Sequence, residues 1–232
     1  MRRNKNHPVV GYRVEELPGG DEIVAKFLRC GDFARANDIR TGFHPDQFVV
    51  LGTPDDSLAG RSIADLESQA EIAEWVHADT VNIHGGGGYG DKPAALERFR
   101  RNLNLLSTRA RSRLTVENDD RTFTPSDLLP LCRVEKLPLV YDAHHHRCCP
   151  DELTVEEATA AALETWDREP LFHLSSPLEG WEGAKPERHH DFIDPKDFPA
   201  AWLDQELTVE VEAKAKERAV ARLQSWLDKT TS

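Results

Sequence analysis

Residues 114–142, LTVENDDRTFTPSDLLPLCRVEKLPLVYD, carry the pattern that decides the fold. Two short apolar runs, LTVE (114–117) and PLVYD (138–142), flank a stretch whose apolar residues recur at helical spacing. Pro125 followed by Ser126 and Asp127 reads as the start of that helix. Strand, helix and strand within about 30 residues make one βαβ unit, whose strands run parallel.

The alternation continues in both directions. Strand candidates end at His44 (IRTGFH), His84 (TVNIH), Glu117, Asp142, His173 (PLFHL) and Glu212 (LTVEVE). Helical periodicity marks Asp21–Asn37, Asp65–Val76, Ala94–Ala110, Ser126–Glu135, Val155–Asp167 and Ala213–Leu227. Thr154 with Glu157 three residues on adds a capping box. The expected fold is α/β, a TIM-type (β/α) barrel. Such a barrel needs about eight βα units. Six are counted, so the chain is expected to lack the first two. No linker, repeat or low-complexity segment divides it, and residues 1–232 are expected to form one domain.

The bulk composition bounds the function. The 232 residues carry 29 basic against 41 acidic side chains, a formal charge of -12. That disfavours a whole-surface nucleic-acid binder, yet allows a pocket whose sign is reversed by metal ions. Cys30, Cys132, Cys148 and Cys149 form no CxxC pair, so reduced thiols in a cytoplasmic setting are expected. MRRNKNHPVVGY has no apolar run after its basic residues and is not read as a signal peptide. No run of 18 apolar residues is present to span a membrane.

The chemistry gathers at the strand ends. His44, His84, Glu117, Asp142, His173 and Glu212 are separated by 40, 33, 25, 31 and 39 residues, each about one βα unit. Parallel strands at that spacing bring all six to the face where barrel enzymes hold their active sites. A single strand-end histidine is more often a paired core or loop residue than a ligand. Six ligand types at one rim are harder to dismiss, because clustered carboxylates in an apolar setting are costly without partners. Mixed imidazole and carboxylate suits Zn, Mn or Fe. More candidates than one ion can use point to two or three ions, an arrangement that in hydrolases clamps an in-line displacement at phosphorus. The AHHHR run and His189–His190 add histidines nearby. The HHH run followed by Arg147 and two cysteines lacks structural zinc spacing. Gly85–Gly88 does not match a dinucleotide fingerprint and is read as backbone free to approach a ligand closely.

Long strings in this order resemble the UV-damage endonucleases, DNA-repair enzymes related in fold to endonuclease IV. They are FHPDQFVVLGTP (43–54), NIHGGGGYGDK (82–92), LTVENDD (114–120), LVYDAHHH (139–146), FHLSSP (172–177), HHDFI (189–193) and VEVEAKAKE (209–217). The resemblance implies a TIM barrel and metal-dependent hydrolysis of the phosphodiester 5′ to a UV photoproduct, with manganese as the usual metal. It implies that His44, His84 and Glu117 hold a first ion. Glu117 bridges to a second ion held with Asp142, His173 and Glu212, and His145 and His190 ligate a third. Glu117, His84 and His173 are then the catalytic residues. Gln47 and Phe48 match the pair that probes damaged bases, a task that suits a wedge replacing lost stacking. His7 matches a further active-site histidine. Leu171 stands where the family often has Lys. The implied partner is damaged double-stranded DNA, bound by a monomer without membrane attachment. Two other readings are a metal-dependent sugar isomerase or epimerase on the same barrel, and a truncated, non-catalytic relative.

Overall fold

The structure is a computed structural model that describes residues 14–230. The chain divides into two compact units, Met1–Thr115 and Val116–Ser232.

In the first unit, α1 (Gly20–Ala36) leads into the two-residue strand β1 (Gly42–Phe43). The long helix α2 (Asp56–Trp75) follows, then β2 (Thr80–His84), α3 (Lys92–Leu103), the single turn α4 (Thr108–Arg111) and the first half of β3 (Leu114–Glu117). β1 runs parallel to β2 with Gly42 opposite Thr80 and Phe43 opposite Val81. A Cβ at Gly42 would stand 2.6 Å from Thr80 Oγ1, so a side chain there would require the buried Thr80 hydroxyl to shift. Thr115 Oγ1 donates to Asn82 Oδ1 (3.0 Å) and Val81 N donates to Arg113 O (2.7 Å), which hold β3 beside β2. Leu66, Val81, Ile83, Phe99 and Leu103 are almost wholly buried, each contributing roughly 1.5–3 kcal/mol by transfer from water.

In the second unit, β3 pairs in parallel with β4 (Leu139–Val140) across α5 (Pro125–Glu135). α6 (Ala143–Cys148) and α7 (Val155–Leu163) precede β5 (Leu171–Leu174). β5 pairs in parallel with β6 (Thr208–Val211), and α8 (Glu217–Thr230) closes the order. A single parallel bridge, Asp142 to His173, ties the end of β4 to β5. Tyr141, Phe172 and Trp202 pack edge-on or tilted at 5.4–6.2 Å in the core, each such pair contributing about 0.5–1.5 kcal/mol beyond burial.

All six expected strands are present, and helices occur at the expected places, with instructive shifts. α2 begins nine residues before Asp65, because Asp55 accepts from the Ser57 and Leu58 amides and caps it there. The expected helix Ala94–Ala110 is two: Asn104 ends α3 and Ser107 caps α4. α8 starts at Glu217 rather than Ala213, since Lys216 lies in the left-handed region at φ 55°. Arginines along this stretch are spread over α3, α4 and the turn after it, and Arg98 donates to Gly52 O and Arg113 to Ala78 O.

Candidate metal centre

In the first unit, His44 directly follows β1 and His84 ends β2. Their rings stand 5.2 Å apart at 52°, on paired parallel strands whose register leaves the two residues two positions out of step and so on the same face. The Gln47–Phe48 pair sits in an exposed turn. Asp46 shapes it: its Oδ1 accepts the Phe48 amide (3.1 Å) and its carbonyl accepts the Val49 amide (2.9 Å). Phe48 is 72% exposed, which rules out a core role for this aromatic. His7 lies outside the described residues.

The second unit gathers the larger set. Glu117 at the end of β3 and His173 in β5 are wholly buried, with His173 Nδ1 3.2 Å from Glu117 Oε2 and 3.5 Å from Glu212 Oε1. His145, on α6, turns Nδ1 toward three oxygens: Asn118 O (3.1 Å), Glu117 Oε1 (3.2 Å) and Asp142 Oδ2 (3.4 Å). Asp142 serves the fold as well. Its Oδ1 accepts the His145 amide (2.7 Å) and caps α6, while Oδ2, buried, makes no hydrogen bond. Asn118 fixes the strand ends on either side. It donates Nδ2 to Asp142 O and accepts the Asp142 amide at Oδ1, both at 2.9 Å. Ligand atoms of Asp142, His173 and Glu212 lie within 4.8 Å of one another, and so do those of His145, His189 and Glu212.

His190, expected beside His145, is not part of this group. Its Nδ1 accepts the Phe192 amide (3.0 Å). The neighbour His189 faces inward instead, with Nδ1 3.7 Å from Glu212 Oε2. The segment is extended: His189 bridges antiparallel to Pro177 and His190 N donates to Ser176 O (2.8 Å). Successive side chains of an extended segment point to opposite sides, so only one of two adjacent histidines can face the cluster. Leu171 starts β5 opposite Thr208, two residues before His173 and hence on the same face, where it is buried.

The electrostatics follow from packing three carboxylates with two imidazoles. Burial alone lowers the His173 pKa, but Glu117, Glu212 and Glu210 outweigh it and hold the ring up to about 10. His145 is likewise opposed by burial, yet Asp142 and Glu117 raise it well above the ordinary value. Burial, aided by Asp142 and Glu117, pushes Glu212 up to about 7 against the pull of His173. His189 and His144 are lowered, chiefly by burial. Behind α6 lies a buried chain: Tyr141 Oη to His146 Nδ1 (2.8 Å) and His146 Nε2 to Asp151 Oδ1 (2.9 Å). Burial raises Asp151, but amides of Ser126 and Leu153 and the His146 ring overcome it and hold the carboxyl near about 2.

Carboxylates converging on imidazoles in a buried site form the donor set of a hard-to-borderline divalent ion. No helix among the described residues is long and apolar enough to cross a membrane.

Residues 5–231 match the family UV-endonuclease UvdE. A UV DNA damage endonuclease of Bacillus velezensis is 35% identical over 211 residues, which are 85% of this chain and 65% of that protein. The chain thus spans just under two thirds of that relative's length. The crystal structure of SacUVDE superposes with a TM-score of 0.87 at 25% identity, over 97% of this chain and 76% of that one. Endonuclease IV from Thermus thermophilus matches with a TM-score of 0.67 at 21% identity, over 92% and 83%. The fold is α/β of the TIM-barrel class.

Proposed function

Because the chain belongs to the UV-endonuclease UvdE family, we propose that it is a metal-dependent DNA-repair endonuclease that hydrolyses the phosphodiester 5′ to UV photoproducts. The observation that carries this reading is the pair of ligand groups in the second unit, Asp142–His173–Glu212 and His145–His189–Glu212, joined through Glu212. With Glu117 against both His145 and His173, the residues present suit two or more divalent ions, and manganese is the proposed metal. His44 and His84 are the proposed remaining ligands, on the family motifs that contain them.

When bound, such ions supply Lewis acidity at a phosphoryl oxygen and lower the pKa of water. The chain's own residues prepare the place. Glu117 presents one carboxylate oxygen toward His145 and the other toward His173, the arrangement of a bridging ligand. Asp142 commits Oδ1 to the helix cap and so offers Oδ2 in a fixed direction. The Asn118 clamp keeps the ends of β3 and β4 in step, which fixes the separation of Glu117 and Asp142. Gln47 and Phe48 stand on an exposed turn, free to enter a duplex and probe its stacking.

The test is nicking of UV-irradiated and unirradiated plasmid with manganese and with chelator. Metal-dependent nicking confined to irradiated DNA supports the reading. An absence of nicking in every metal tried, with metal bound, removes it in favour of a non-catalytic relative or an enzyme acting on a small sugar.

A further inference from the structure

The extended segment at residues 189–190 separates two environments. His189 faces the ligand cluster. His190 lines a recess of about 520 Å³ on the other side, together with Trp181, Phe192, Lys196 and Arg222. That volume lies in the range of about 300–1,000 Å³ usual for ligand sites. The recess and the cluster share a wall: the buried His144 ring stands 5.1 Å from Trp181 and 5.2 Å from His189.

The lining has a distinct chemistry. Trp181 and Phe192 each already carry a guanidinium over the ring, Arg147 at 5.6 Å and Arg222 at 4.9 Å. Lys196 and Arg222 are exposed and form no ion pair among the described residues. Of the two acids in the lining, Asp197 is buried and accepts from Trp181 Nε1 and Ser176 Oγ at its two oxygens. Asp194, exposed, accepts the Lys196 amide at Oδ1. His190 Nδ1 lies 3.0 Å from the Phe192 amide and 3.1 Å from the Phe192 carbonyl. Aromatic faces and exposed cations together suit a ligand that is both planar and anionic. In a chain of net charge -12 that combination is local.

We infer that this recess binds one nucleotide of the DNA strand next to the phosphate at the ligand cluster, its phosphate on Lys196 and Arg222 and its base against Trp181 or Phe192. This rests on the endonuclease reading. The placement follows from the shared wall: His189 faces the cluster and its chain neighbour His190 lines the recess, with the His144 ring against both Trp181 and His189. Bases of any identity stack on aromatic rings, and cations near the backbone add a salt-dependent attraction.

The experiment separates this inference from the reading beneath it. Binding of irradiated duplex is followed by fluorescence anisotropy against salt, in chelator so that no cleavage occurs, for the wild type, R222Q, K196Q and the double variant. Nicking of irradiated DNA by the wild type in manganese is measured in parallel. Each substitution should lower the magnitude of the log–log salt slope by about 0.7–0.9, with the double variant additive. R222K, which keeps the charge, should retain the slope. A wild type that nicks irradiated DNA while the variants keep their slope and affinity overturns the recess. A wild type that neither binds nor nicks overturns the endonuclease reading. Binding with the predicted slope changes but no nicking keeps the recess and removes the catalytic assignment. Both side chains are exposed, so thermal melting of the variants should match the wild type. A variant that melts early is set aside, and the other single charge-removing substitution carries the test.

Discussion

His173 Nδ1 lies 3.2 Å from Glu117 Oε2, and both side chains are wholly buried. Removing the charge of Glu117 therefore acts directly on the ligand set. Glu117→Gln should abolish nicking, with a loss of at least about 100-fold, since even residues behind metal ligands commonly cost 10–100-fold. Metal content of the purified variant should fall while its far-ultraviolet circular dichroism stays unchanged. Normal nicking in manganese would take Glu117 out of the bridging role.

The neighbouring histidines 189 and 190 make a sharper comparison. His189→Ala should lower divalent-ion affinity measured by calorimetry, because its ring faces Glu212. His190→Ala should leave metal content as it is, because its Nδ1 is turned to Phe192. The reverse result would mean that the extended segment is turned over when metal binds.

The pH dependence of stability has a definite sign in chelator. Glu212 is held up to about 7 from 4.5, and His173 up to about 10 from 6.5. In each case the folded chain keeps a proton that the unfolded chain has released. The stability this gives is complete below the lower value and is lost as pH rises through the upper one, about 4.5 to 7 for Glu212 and 6.5 to 10 for His173. The melting temperature of the metal-free protein should fall between about pH 5 and pH 9. Manganese should flatten or invert that trend, because ligation requires the deprotonated groups. Scanning calorimetry across the range decides it, and a rising metal-free curve would contradict the buried arrangement.

Phe48→Ala removes an exposed ring and should change stability by no more than about 0.5 kcal/mol. If the ring stacks on displaced bases, affinity for irradiated duplex should drop by about 1–3 kcal/mol, while affinity for undamaged duplex changes little. Equal losses on both DNAs would make Phe48 a general contact.

Tyr141→Phe leaves His146 Nδ1 buried without its phenolic partner. The cost should be about 1–3 kcal/mol. At about 2–4 °C per kcal/mol for chains of 150–250 residues, the fall in melting temperature is several degrees. An unchanged midpoint in urea would show that the chain Tyr141–His146–Asp151 contributes nothing net.

The sequence was legible where one period ruled. Parallel strands spaced one unit apart placed His84, Glu117, Asp142, His173 and Glu212 at or next to strand ends, and there they stand. Reading failed where no period exists. Nothing in HHDFI says which of two equal residues faces inward, because the pairing of His189 with Pro177 is set by a loop folding back on the strand end. The helix α6 went unforeseen because six residues are too few for a periodic signal, and its cap doubles as a candidate ligand. The break between α3 and α4 was hidden because the apolar spacing runs on through Asn104–Ser107, and the capping hydrogen bonds alone decide against continuity.

Asp142 divides its two oxygens between the start of α6 and the cluster. One consequence is kinetic. A carboxylate pinned by a backbone amide has no rotamers to search when an ion arrives, so ion capture requires no rearrangement of this residue. Stopped-flow metal uptake should therefore proceed at the rate of ion dehydration and diffusion, without a slow conformational phase. Asp142→Glu would restore the search: the longer side chain keeps the charge but cannot cap and ligate from one fixed pose. Its uptake should become biphasic even where the final affinity is close to that of the parent.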